Sequence, residues 1–162
     1  MMSAFAPELE RQVEQTLTRV GRELNITLRF DAEGACYFQH REGWNIAVIR
    51  SGTDQLVITV SVVTQEFPTA ETISALLSQF GWLGFGTGGA ALSYNPESGS
   101  FVLWRSIDAA TADANQVNRE LLRVIGYAAK LRRPLQAALV EAAADQSTAD
   151  TDNDAVPAHL LG

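Results

Sequence analysis

The chain has 162 residues, 46% of them hydrophobic and 19% charged, with a formal net charge of −7; this suits one globular domain with its own core and leaves too little chain for two. So acidic a chain lacks the lysine and arginine surplus that nucleic-acid backbones and anionic lipid demand, which excludes sequence-independent nucleic-acid binding and docking on anionic lipid. Cys36 is the single cysteine, no basic segment followed by an apolar run opens the chain, and no stretch reaches the ~20 apolar residues of a membrane span, so a cytoplasmic protein with no internal disulfide and no membrane insertion is expected.

The first helix is expected from Pro7 to Leu24. Val13, Leu17, Val20 and Leu24 form one apolar stripe with the acidic and basic residues off it. Proline is tolerated in the first turn, where its missing N–H costs nothing, and Asn25 is a suitable C-terminal breaker. A meander of strands follows: Leu28–Asp31 leading through Ala32-Glu-Gly34 to Ala35–His40, then Trp44–Arg50, then Gln55–Val63. The connectors are short and turn-rich, which favours antiparallel hairpins. In the third strand Leu56, Ile58, Val60 and Val62 make one face fully apolar, while Val57 and Val63 flank hydroxyls on the other. Ala47 and Ile49 accompany Asn45 on the neighbouring strand, so the second face is more apolar than a solvated face requires.

A second helix is expected from Thr69 to Phe80, with Thr69 as N-cap. Its apolar residues Ile73, Leu76, Leu77 and Phe80 run into Trp82, Leu83 and Phe85, more apolar surface than so short a helix can bury on one side; the core explains part of it and a dimer interface the rest. Gly84, Gly86 and Gly89 then make a formal G-x-G-x-x-G match. A phosphate-cradling loop must leave a strand and open a helix. Here a helix precedes and two strands, Ala90–Tyr94 and Phe101–Trp104, follow around Asn95-Pro-Glu-Ser-Gly99, so the glycines read as a helix-to-hairpin joint.

The third helix is expected over about Ala112–Ala143, with Val117, Leu121, Val124, Ile125, Ala128, Leu131 and Leu135 at helical spacing. Pro134 should kink or interrupt it, ending the packed part near Arg133. Arg105, Arg119, Arg123, Lys130, Arg132 and Arg133 form the one local basic excess, and a helix C-terminus at Arg132 and Arg133 accounts for that pair through the dipole. The remainder, Ala144–Gly162, carries four of the 19 acidic residues and no lysine or arginine, and is expected as a disordered acidic tail after a domain of residues 1–143. Ala155–Leu161 within it is apolar enough for a docking peptide.

Catalytic chemistry is hard to assemble from these residues. Cys36 and His40 would share a strand face, but their α-carbons would stand roughly 13 Å apart, too far for a nucleophile–base pair. One cysteine and His40 cannot supply the ligands of a zinc site. Carboxylates such as Asp31 with Glu33 sit beside turns, where acids are expected anyway. No enzyme, no catalytic residue, no metal and no cofactor is therefore expected.

Leu28-Arg-Phe-Asp-Ala-Glu-Gly-Ala-Cys-Tyr-Phe38, the aromatic-glycine joint, and Gly86-Thr-Gly-Gly-Ala-Ala-Leu-Ser-Tyr-Asn-Pro-Glu-Ser-Gly99 leading to Val102-Leu-Trp-Arg105 resemble the class I type III secretion chaperones, the Tir-chaperone family, and the order of elements agrees from about Glu8 to about Arg133. The resemblance implies an α+β fold of order α-β-β-β-α-β-β-α, a twisted antiparallel sheet flanked by helices, and a cytoplasmic homodimer. It implies a protein that holds the N-terminal part of one or several secreted effectors in extended form for export, with the secretion-associated ATPase as a further partner. By the same resemblance Leu76, Leu77, Phe80, Trp82, Leu83, Phe85 and Trp104 would supply dimer contacts. The first helix and the outer sheet face, with Tyr37, Ala47, Ile49, Val57 and Val63 as candidates, would contact the effector. A dimeric adaptor or regulator clasping one folded partner is the alternative.

Overall fold

Each element begins and ends where local chemistry allows. The structure, a computed structural model, describes residues 5–65, 68–81 and 88–153, with side chains described to residue 149. Helix α1 spans Pro7–Leu24, with proline in its first turn, Glu8 and Glu10 beside the positive end of the dipole, and Asn25 closing it in the left-handed conformation (φ 58°). The Leu28–Asp31 segment, expected to lead the meander, stays outside the sheet. Instead the Asp31 carboxylate accepts from the backbone N–H groups of Glu33 and Ala35, 2.9 Å each, and shapes the turn into the first strand.

Strands β1 (Ala35–Gln39), β2 (Asn45–Ser51) and β3 (Gln55–Thr64) form the meander; helix α2 (Ala70–Gly81) follows, then β4 (Ala91–Asn95), β5 (Ser100–Asp108) and helix α3 (Ala114–Asn153). The five strands make one antiparallel sheet in the order β1-β2-β3-β5-β4. The expected α-β-β-β-α-β-β-α order and α+β class hold. Strand β5 is longer than its apolar run: it pairs along β3 as far as Gln55 opposite Asp108, so polar Arg105 and Ser106 are drawn into the ladder.

The helices pack on one face. There Phe38, Ile46, Val60, Leu103 and Leu92 stand in one cross-strand row. Val13 and Leu17 of α1 meet Val48, Leu56 and Val117, and α2 approaches Leu92 through Gly81. The core includes Phe101, Leu103, Ile58, Val60, Leu121 and Leu135, all essentially without exposure.

Two expectations about α3 fail together. The helix continues through Pro134, because Leu131, Leu135 and Leu139 at successive i, i+4 positions are all buried and tertiary packing outweighs the one missing backbone donor. Ala144–Asn153, expected to be disordered, forms the helix's last turns, and the Gln146 amide donates to Thr69 Oγ1 (3.1 Å) and Thr72 Oγ1 (3.2 Å) at the start of α2.

Arg132 is thus far from any helix end and is explained otherwise. Its guanidinium lies 3.7 Å from the centre of the buried Trp44 ring, and its Nε donates to the Val62 carbonyl at 2.9 Å. Val62 lies at a register shift in β3 between Ser61 and Val63, so Arg132 holds a carbonyl at an irregular point of the ladder. Arg132→Ala is expected to cost about 2–3 kcal/mol in chemical denaturation, from a charged hydrogen bond and a desolvated cation–π contact. Arg132→Lys should recover only part of that, having no planar group to stack.

Candidate functional site

The sheet face opposite the helices carries the candidate site. Tyr37, Ala47, Thr59, Trp104 and Ala91 stand in one row across all five strands. Beside it runs a second row of Ala35, Ile49, Val57 and Ser106. No described helix lies over these rows. Tyr37 is 71% exposed at the β1 edge, while Ile49, Val57, Thr59 and Trp104 are half-buried by one another. Ala47 is buried although it faces outward, since its methyl lies between the larger Tyr37 and Thr59.

Val63 is the exception among the expected contact residues. Strict alternation puts it on the outer face with Val57, but the register shift after Ser61 turns it inward opposite Phe101, where it is 7% exposed and part of the core. Nothing in the local sequence marks that bulge.

Of the residues expected at a dimer contact, the four described ones, Leu76, Leu77, Phe80 and Trp104, lie around the other edge strand, β4. Trp104 shows its ring on the outer face and its Nε1 donates to Ser93 Oγ of β4 at 2.8 Å. On the opposite side of that edge lies α2. Leu76 is buried in the core at 4% exposure, and Leu77 and Phe80 are half-buried against it. Trp82, Leu83 and Phe85 lie outside the described residues. Four strand spacings, about 19 Å, separate β1 from β4, but Val57 and Trp104 stand on the neighbouring strands β3 and β5, so the two groups of expected contacts adjoin on the outer face.

Arg50 positions the β1–β2 side of the site and was missed in the sequence. It pairs with Glu10 of α1 and lies under the rings of Phe5 and Phe30, at 5.9 and 5.0 Å. Its backbone N–H also holds the Gly34 carbonyl at 2.8 Å. One arginine thus joins α1, the Leu28–Asp31 segment and the turn into β1; a cation ending an apolar strand in the inward register was the available signal. Alongside, Glu14, Leu17, Thr18, Leu28, Arg29 and Phe30 line a groove of about 220 Å³.

The thiol on β1 and the imidazole just beyond that strand are shielded from solvent. Cys36 and His40 are both buried, and burial, the largest influence, pushes the Cys36 thiol above its ordinary pKa, with the nearby Asp31 charge acting the same way and a backbone hydrogen bond at Arg29 opposing them. Among the described residues no three His, Cys, Asp or Glu side chains gather as metal ligands, and no helix is long and apolar enough to cross a membrane. At the glycine joint, Gly88 and Gly89 take positive φ between α2 and β4; Gly84 and Gly86 lie outside the described residues.

An apolar sheet face backed by helices defines a binding scaffold. Residues 15–132 match the model of the Tir chaperone protein (CesT) family, and the chain belongs to that family. No match is found among curated protein sequences. Similar solved structures include a chain of the HopA1–SchA chaperone–effector complex, with TM-score 0.60 and 15% identity over 78% of this chain and 98% of that one. A chain of the ExsC–ExsE complex gives TM-score 0.65 and 16% identity over 77% and 94%. A chain of the ExoT–SpcS complex from Pseudomonas aeruginosa gives 0.54 and 18% over 77% and 98%. At these identities the likeness is one of fold.

Proposed function

We propose that the protein is a cytoplasmic, homodimeric type III secretion chaperone, without enzymatic activity, that binds the N-terminal region of one or several effectors in extended form and promotes their export. Family membership supports the class, as do the fold-level neighbours, one of them described as a chaperone–effector complex. The observation that carries the reading is the outer face, over which no described helix lies, with Tyr37, Ala47, Ile49 and Val57 contiguous on the first three strands. An extended segment can add to the open edge of β1 by main-chain hydrogen bonds and lay alternate side chains on this face or in the groove beside α1. Ordering such a segment costs several kcal/mol, which a long wrapped contact offsets. The β4 edge, with α2 and Trp104, forms the dimer contact in this reading, and the secretion-associated ATPase is a partner of the loaded complex.

Co-purification of the tagged protein from its own bacterium followed by light proteolysis tests this. Protected N-terminal segments of exported proteins are the expected result. An intact, folded, protease-resistant partner would instead favour an adaptor.

A further inference from the structure

Helix α3 presents a solvent face that the client reading does not use. At 100° per residue, Val117, Leu121, Val124, Ala128, Leu131, Leu135 and Leu139 point into the core. The opposite side carries Arg119, Leu122, Arg123, Lys130, Arg133 and Val140, all exposed. Leu122 and Val140 are 59% and 70% exposed and, among the described residues, are two of the few large apolar side chains left in solvent. Between them the stripe carries Gly126 and Ala137 beside Lys130 and Arg133, and Gly126 is bordered by open space.

Charge is divided along this face. The half before Pro134 holds the four exposed cations Arg119, Arg123, Lys130 and Arg133, in a chain whose net charge is −7. Glu120, the acidic residue among them, is turned inward, buried between Arg105 (3.1 Å) and Arg123 (3.4 Å). Beyond Pro134 the stripe carries the exposed Glu141 and no cation, while the exposed Asp145 lies to one side, at the cleft between α3 and Glu71, Thr72 and Ala75 of α2. A stripe basic in one half and acidic in the other is self-complementary in antiparallel orientation, the condition for a two-fold contact.

We propose that α3 is a second self-association surface, on which the α3 of another copy docks antiparallel about a two-fold axis near Leu135. In that register Lys130 of each copy faces Glu141 of the other, Val140 is covered about one turn from the axis, and Leu122 lies toward the end of the contact. The surface lies on the far side of the helix layer from the outer sheet face, so it joins chaperones without occupying the client rows. A single helix pair falls in the weak, transient class of interfaces, and its exposed charges make it sensitive to salt.

The test is the association constant by light scattering and sedimentation, at low and at about 0.5 M salt, in a Trp104→Glu background so that contact at the β4 edge is weakened. Wild-type α3 should associate at low salt and at least about tenfold more weakly at high salt. Lys130→Glu/Arg133→Glu and Glu141→Lys should each lose association alone, and an equimolar mixture of the two should regain it as a heterodimer. Circular dichroism establishes that each remains helical. A mass indifferent to salt and to both reversals, or reversed variants that fail to pair when mixed, overturns the proposal. Binding of polyglutamate to the basic half without self-association overturns it too, in favour of an acidic partner.

Discussion

Ile49→Asp/Val57→Asp is expected to leave the protein folded and dimeric while lowering its affinity for an effector segment by about two to four orders of magnitude. The two residues are direct cross-strand partners on β2 and β3, on the sheet face away from the helices and already half-exposed, so folding does not bury the new charges in the core. A client covering them does. Each contributes about 1.5–3 kcal/mol of apolar contact, and at about 1.4 kcal/mol per tenfold in affinity the pair accounts for the stated range. The readout is calorimetry or co-capture of a known effector N-terminus, with circular dichroism and light scattering as controls. Undiminished capture by a folded double variant would remove the outer face from the binding site.

Element order was legible because period and turn chemistry agree from α1 to β5. Val13, Leu17 and Val20 mark one helical face, and the short turn-rich connectors allow only hairpins between β1, β2 and β3. The misreadings share one cause, that local rules were followed where tertiary contacts decide. Pro134 is a helix breaker locally, yet Leu135 and Leu139 beyond it find a core to enter. Val63 alternates outward on paper, and an unmarked bulge turns it to Phe101. Arg132 resembled a dipole partner until the helix proved to run on past it and Trp44 proved to be its contact. The outer face itself was readable from the excess of apolar residues on β2 and β3, but its extension to Trp104 was not. Only the pairing of β3 with β5, two strands separated in sequence by helix α2 and strand β4, puts Tyr37 and Trp104 in one row.

That row makes the assignment of Trp104 decisive. It lies on the same face as the client candidates, yet it stands two strands from Ala47 and beside β4, the edge next to α2. Trp104→Glu is therefore expected to weaken homodimerisation by more than about 30-fold, the loss of a central tryptophan anchor, and to leave client affinity per protomer within a few-fold of wild type. The site suits the test because the ring is half-exposed and its single polar contact, with Ser93, frees a hydroxyl that water can satisfy. Leu76→Asp suits it less well, since Leu76 is buried in its own protomer and a charge there would unfold the helix contact before reporting on any partner. Light scattering across a dilution series separates the possibilities. Monomers that still capture an effector segment place the dimer contact at β4; dimers that no longer capture one extend the client surface across all five strands and move the dimer contact to α2 alone.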